Sequence, residues 1–305
     1  MTLTDLLATV RRVEIKTNRL VNDTMVGAYM SHFKGRGMDF EELREYMPGD
    51  DVRDIDWNVT YRMNKVFVKR FREERELGMI LAVDVSASSA FGSVRRSKRE
   101  FAAEVAATLA FSAARNSDKV GLLLFSDQVE LFVPPRKGRR HLLRIVRELL
   151  GFQATNKGTN VPAALAFLNH VLHRRAIVFL LTDFLHTFGQ AAASSGAGRD
   201  VVQEVGLTNA RHDLVCVHLH DPRESQLPNA GLLTVEDAET GELLEVDSAR
   251  ETVRQTYADV NAERLAALDR ELRQAGVDTV RLSTAEPFAH VLQKFFETRR
   301  GRRRG

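Results

Sequence analysis

The sequence predicts an α/β fold, a doubly wound sheet with crossover helices, preceded by a small α+β lobe. Three observations carry this expectation. From residue 79 onward, short apolar runs alternate with stretches of helical spacing, the pattern of strands joined by crossover helices. Runs such as MILAVD, KVGLLLFS and IVFLLT are apolar at consecutive positions, as strands covered on both faces require. Ahead of residue 79 the character differs: GRGMDFEELREYMPGDDVRDIDW is dense in glycine and acid.

The lobe is expected over residues 1–78. Residues 3–30 place Leu6, Leu7, Val10, Val13, Leu20 and Val21 at helical spacing. Met47 to Asp50 reads as a turn, with Pro48 presetting its backbone angle and Gly49 free to take positive φ. KVFVKRF then alternates like a strand with one wet face.

The main domain is expected over residues 79–298. MILAVD is its first strand, a helix covers about residues 95–114, and KVGLLLFS and VELFV follow as strands. Helices are expected over about 141–150 and 161–173, the second leading into RAIVFLLTDF. GQAAASSGAGR reads as a flexible loop because glycine, alanine and serine give it no apolar face. The strand DLVCVHLHD, a hairpin in LLTVEDAETGELLEV, a long charged helix over about 249–275, the strand VDTVRLS and a helix ending near Thr298 complete the domain. Residues 299–305, RRGRRRG, read as a solvated, frayed basic tail.

Composition bounds the function. With 305 residues, 44% hydrophobic and 28% charged, the chain can bury a full core. A net charge of +3 is too small to argue for a nucleic-acid surface. The single cysteine, Cys216, has no possible partner within the chain, which excludes internal disulfides and cysteine metal cages and fits a reducing setting. No apolar run reaches the roughly 18–20 residues of a membrane helix, and MTLTDLLATVRRVEIK carries acids where a signal peptide is apolar. A cytoplasmic location is expected.

The chemistry concentrates where strands end. In open α/β sheets ligands sit beyond the carboxyl ends of the strands. There MILAVD delivers Asp84, Ser86 and Ser88 in alternation, Thr159 lies in KGTNVP just before a helix, Asp183 follows IVFLLT and Asp221 follows VCVHLH. A hard divalent cation takes six oxygens in an octahedron. Hydroxyls of Ser86, Ser88 and Thr159 can ligate it directly without adding charge, and Asp84 and Asp183 directly or through water. One position is left for a carboxylate from another protein. Mg²⁺ fits this set first, with Mn²⁺ or Ca²⁺ as alternatives. As a carboxylate at the sheet edge, Asp84 is expected to be exposed, so that removing it weakens partner binding and spares the fold.

Asp84-Val85-Ser86-Ala87-Ser88, Thr159 and Asp183 resemble the metal-ion-dependent adhesion site (MIDAS) of von Willebrand factor A domains. Together with GRGMDFEELREYMPGDDVRDIDWNVTYR and TAEPFAHVLQKFFETRR, the chain resembles the bacterial DUF58 family over most of residues 30–298. The resemblance implies a von Willebrand A-like domain. It also implies pairing with a MoxR-type AAA ATPase, in chaperone-like assembly or maturation of protein complexes whose client presents an Asp or Glu.

Enzymatic readings fare less well. A haloacid-dehalogenase-type phosphatase needs a second Asp where Ser86 stands, and GRGMDF lacks the third glycine of a dinucleotide fingerprint. Neither GxxxxGK[ST] nor GxSxG occurs. The surviving alternative is a Mg²⁺-dependent phosphoester hydrolase using Asp84, Asp183 and Asp221, for which no general base is evident. His218 and His220 share a strand face without a clear third ligand, so packing and hydrogen bonding are expected of them ahead of a transition metal. Asp50, Asp51, Asp54 and Asp56 could form a second cation site, but Arg44, Arg53 and Arg62 offer buried ion pairs and turn bonds instead. Trp57 is read as an anchor of the lobe interface.

Overall fold

The computed structural model describes residue 11 and residues 39–63, 65–72, 78–94, 96–185, 197–238 and 240–302. The helical spacing expected over residues 3–30 lies outside these, apart from residue 11. The described chain forms two units, a small one before residue 73 and a large one from residue 78.

In the small unit, β1 (Asp39–Glu45) pairs antiparallel with β2 (Phe67–Arg72). The strand expected in KVFVKRF is β2, with Val68 buried; β1 was hidden in the acid-rich segment. The turn forms as read: Asp50 N donates to Met47 O at 3.1 Å and Gly49 takes φ +111°. The aspartates there serve local structure. Asp50 accepts from Arg44 at 2.6 Å and from Met47 N at 2.9 Å, Asp51 accepts from Arg53 N, and Asp56 accepts from Asn58 N and Val59 N to cap α1 (Trp57–Met63). Arg44, first of all through its hydrogen bond, holds Asp50 below the usual carboxylate range. That ion pair is partly exposed, contrary to the burial expected. Trp57 is 66% exposed and does not pack into its unit's core.

The large unit is built on six strands. In chain order these are β3 (Gly78–Asp84), β4 (Lys119–Phe125), β5 (Val129–Arg136), β6 (Ala176–Thr182), β7 (Asp213–His220) and β10 (Asp278–Ser283). Across the sheet they run β10-β7-β6-β3-β4-β5, all neighbours parallel except β4 and β5. The two halves wind outward in opposite directions from the boundary between β3 and β6, which is the topological switch point of a doubly wound sheet. The antiparallel β5 closes one edge, where Pro134 and Pro135 cost no interior hydrogen bonds.

Burial on both faces explains the unbroken apolar runs. Ile80, Ala82, Val178 and Leu180 pack with Leu165 and Leu168 of α4 (Val161–Val171) and Val205 of α5 (Ala197–Arg211), joined by Leu268 of α6 (Glu251–Gln274). Successive side chains of a strand point to opposite faces. Met79, Leu81 and Val83 therefore face the other layer, where α2 (Lys98–Arg115) and α7 (Phe288–Arg302) lie with Phe101 and Phe288 edge to face at 5.7 Å. The remaining helix of this half, α3 (Arg139–Gly151), packs on α2.

Two expectations change. Helix α5 was absent from the sequence reading, and it begins at Ala197 inside the stretch taken as a loop; the earlier part of that stretch lies outside the described residues. Its signal is Val201, Val205 and Thr208 at helical spacing, all buried, with Gly206 interrupting the pattern. At the other end, the basic tail does not begin at 299. Helix α7 continues to Arg302, and Arg299 is buried in ion pairs with Asp213 and Asp278, so it belongs to the core. The hairpin forms as β8 (Leu232–Glu236) and β9 (Leu243–Asp247).

Candidate functional site

Strands β3 and β6, which flank the switch point, end at Asp84 and Thr182, and their last residues start the site. Asp84 Oδ1 accepts from Ser86 N at 2.9 Å, folding the chain back in a tight turn. A 3₁₀ turn over Ala87–Ala90 follows, with Ser89 Oγ donating to Ser86 O at 2.6 Å. This turn sets the Ser86 and Ser88 hydroxyls 3.1 Å apart. Ser88 Oγ donates to Asp183 Oδ2 at 2.8 Å, and Thr182 Oγ1 donates to Asp84 Oδ2 at 2.6 Å. One hydrogen-bonded group thus joins Asp84, Ser86, Ser88, Thr182 and Asp183, every member buried.

The backbone after Asp183 is bent to suit. Phe184 sits at φ +52°, in the left-handed region, which costs on the order of 1–3 kcal/mol for a non-glycine residue. The bend lets Leu185 N donate to Asp183 Oδ1 at 3.1 Å. Thr159 lies half-buried in the loop before α4. That loop is tied to the serine turn by Ala87 N donating to Lys157 O at 2.9 Å, and to the end of β4 by Asn160 N donating to Ser126 O at 2.7 Å. Asn160 also caps α4, accepting from Ala163 N, with Pro162 in the first turn.

Lys98, absent from the sequence reading, enters the group. Its Nζ donates to Asp183 Oδ2 at 2.5 Å and to Glu224, and the residue is 1% exposed. Burial opposes its charge, but Asp183 and then Glu224 more than offset this and raise its pKa. Burial acts to raise Asp183, yet the charge and hydrogen bond of Lys98, with Leu185 N and Ser88, hold it below the usual range. Glu224 sits above its ordinary range because burial outweighs Lys98. Among the described residues no cation pairs with Asp84: burial, and then the Asp183 charge, push it up to about 7 against the hydrogen bonds of Thr182 and Ser86.

The spacing of the oxygens, set here by hydrogen bonds, is also compatible with a hard-cation shell. Neighbouring ligands of an octahedron with bonds of 2.0–2.1 Å are about 2.9 Å apart. The Ser86–Ser88 and Ser88–Asp183 separations of 3.1 and 2.8 Å bracket that edge. The residues fit a divalent cation, and Asp84 is the group that one would relieve. Among the described residues no cluster of three His, Cys, Asp or Glu side chains could hold a metal, so binding would depend on the hydroxyl oxygens.

The family model described as "Protein of unknown function DUF58" matches residues 42–267. The chain belongs to the DUF58 family. A family relative, the uncharacterized protein Mb1516 of Mycobacterium bovis, is 28% identical over 297 residues, covering 97% of this chain and 90% of the relative. The uncharacterized protein YeaD of Bacillus subtilis is 27% identical over 107 residues, 35% of this chain and 25% of its own. Among solved structures, BatB of Bacteroides thetaiotaomicron matches with TM-score 0.46 and 15% identity over 73% of this chain and 98% of that one. A von Willebrand factor type A protein of Catenulispora acidiphila matches with TM-score 0.38 and 13% identity over 74% and 42%. The doubly wound fold rests on the strand order, and the family on the family model.

Two expectations about the site are corrected. Asp84 is 4% exposed, because the 3₁₀ turn and β6 cover the strand end. Removing its side chain would orphan Ser86 N and Thr182 Oγ1. Asp221 does not join the cluster. It is fully buried and accepts from Ser93 N at 2.9 Å, Ser93 Oγ, Arg223 N at 3.0 Å and Thr284 Oγ1 at 2.8 Å. Burial alone would raise it, but these donors hold it below the usual range. His218 and His220 pack, with their rings 5.8 Å apart and His218 edge to face with Phe184, but the Nδ1 atom of each is buried without a hydrogen-bond partner among the described residues, so the hydrogen bonding expected of them is only partly seen. Burial, and then His220 and Arg281, lower His218 to about 3, so it is neutral.

Lys98 had a readable signal. It occupies the first position of α2, behind the Ser97–Glu100 capping box, where the helix dipole disfavours a cation. A lysine there needs carboxylates from elsewhere in the chain. No helix among the described residues is long and apolar enough to cross a membrane.

Proposed function

We propose that the large domain is a protein-interaction module. In this reading Ser86, Ser88 and Thr159 hold a divalent cation directly, Asp84 and Asp183 hold it directly or through water, and a partner Asp or Glu completes the shell. The cation supplies charge: it neutralises buried Asp84 and gives a partner carboxylate something to bind. We further propose that the partner is a MoxR-type AAA ATPase and its client, in assembly or maturation of a protein complex. The observation that carries the reading is Asp84, a buried carboxylate between hydroxyls and paired with no cation among the described residues. A hydrolase is the weaker reading, because Asp183, its second aspartate, is held by Lys98 and Ser88 and has little basicity to offer.

The test is binding of a MoxR-type ATPase from the same genome, with Mg²⁺ or with EDTA. Affinity at least tenfold lower in EDTA, and the same loss in Asp84→Asn with an unchanged circular dichroism spectrum, is the expected result. Equal affinity in both buffers would remove the cation from the interaction.

A further inference from the structure

The strand-end cluster already contains one positive charge. Lys98 Nζ is bound to Asp183 Oδ2, the oxygen that also accepts from Ser88 and so faces the hydroxyls. Its other partner is Glu224, whose second oxygen accepts from Asp221 N at 2.9 Å in the capping box of the one-turn helix Pro222–Ser225. Asp221 in turn binds Ser93, in the loop that leads into α2. That loop is tightly folded. A side chain at Gly92 would meet Arg96 O at 2.4 Å, and Lys98 N donates to Phe91 O at 2.8 Å. The ammonium is therefore held in place from both sides and cannot swing out to water without breaking buried ion pairs.

The charges can be counted. Asp84, Asp183 and Glu224 supply three carboxylates, Lys98 one ammonium, and Arg264 a guanidinium that acts on Glu224 and Asp183, so with all five ionised the group carries one net negative charge. A divalent cation would more than offset it. The ammonium repels such a cation and competes for Asp183 Oδ2, in surroundings where burial weakens screening.

We infer that Lys98, held by Glu224, is a built-in competitor that sets the divalent-cation affinity of the strand-end cluster. This rests on the reading of that cluster as a cation site. Lys98 is a positioning and charge-setting residue and ligates nothing itself. Held this way, the cluster binds cations weakly, and occupancy becomes sensitive to whatever else a partner carboxylate adds to the shell.

Lys98→Met keeps the length and apolar stem and removes the charge. Titration calorimetry with Mn²⁺ and Mg²⁺ on the full chain should show at least tenfold tighter binding in Lys98→Met than in wild type. Glu224→Gln leaves the ammonium to Asp183 alone and should weaken cation binding. Should Lys98→Met be unfolded in EDTA and fold on adding Mn²⁺, the competition is confirmed by the exchange of one cation for another. Failure to fold with or without Mn²⁺ overturns the inference, since the ammonium then does something a cation at the strand ends cannot. Equal or weaker binding in Lys98→Met, with measurable binding in wild type, overturns the inference and leaves the cation reading standing. No binding by either protein up to millimolar cation overturns both. Binding by Lys98→Met alone supports the inference and ends the cation dependence proposed for the wild-type protein.

Discussion

Two buried aspartates lie at the ends of parallel strands two places apart in the sheet, in very different company. Asp221, after β7, meets four donors from three segments and lies below its ordinary pKa. Asp84, the last residue of β3, accepts from Ser86 N and Thr182 Oγ1 with the Ser86 hydroxyl also acting on it, stands beside another carboxylate and still rises to about 7. Residue type and place in the sheet are the same, so donor supply makes the difference. A carboxylate with all its lone pairs occupied joins pieces of the fold. One that is buried and short of donors has capacity left for a ligand.

The largest expected effect follows from the first case. Asp221→Ala leaves buried Thr284 Oγ1 without its acceptor and removes the cap of the one-turn helix, while the donors of exposed Ser93 and Arg223 can turn to water, so the loss should be about 2–4 kcal/mol. Urea denaturation would measure it, and Mg²⁺ should not restore it. A loss below about 1 kcal/mol would break the comparison.

Asp84 should act in the opposite direction. Its folded pKa of about 7 lies above the ordinary aspartate value of 3.8, so the folded state binds the extra proton between these values. In EDTA its contribution to stability is therefore full below about pH 4 and is lost as pH rises to about 7, by up to on the order of 4 kcal/mol. Asp183, shifted down, contributes stability that is lost as pH falls below the ordinary carboxylate range. Asp84→Asn retains an acceptor for Ser86 N, and its amide can donate to Thr182 Oγ1. It should flatten the slope between pH 5 and 7.5 in thermal melts and should not lower stability at pH 7.5. An unchanged slope would mean that Asp84 is not the titrating group.

The smallest effect belongs to an ion pair outside both cases. Lys65 and Glu45 are 2.6 Å apart and mostly exposed, so Lys65→Ala should change stability by no more than about 0.5 kcal/mol in the same urea assay.

The fold was legible because strands covered on both faces must be apolar at consecutive positions, and MILAVD, KVGLLLFS and IVFLLT are. Asp84, Ser86, Ser88 and Asp183 were legible because they lie within a few residues of strand ends. Lys98 carries a partial signal as a lysine at a helix start, but its partner Glu224 carries none, because the pairing is a contact across 126 positions of sequence between two helix starts. The exposure of Asp84 was misjudged for a related reason. Sequence shows where a strand ends, but not which later segment covers that end. Helix α5 was missed because the segment before it is rich in glycine, alanine and serine and drew attention away from Val201 and Val205.

The strand order also has a consequence during synthesis. β3 lies between β4 and β6, and β4 follows it directly, but β6 begins only at residue 176. A chain emerging from the ribosome therefore exposes one edge of this apolar strand while about 90 further residues are made, the situation in which unpaired edges recruit one another. Fragments ending before residue 176 should aggregate through the Met79–Val83 edge, and the strand-end cluster can close only after the centre of the sheet has been filled.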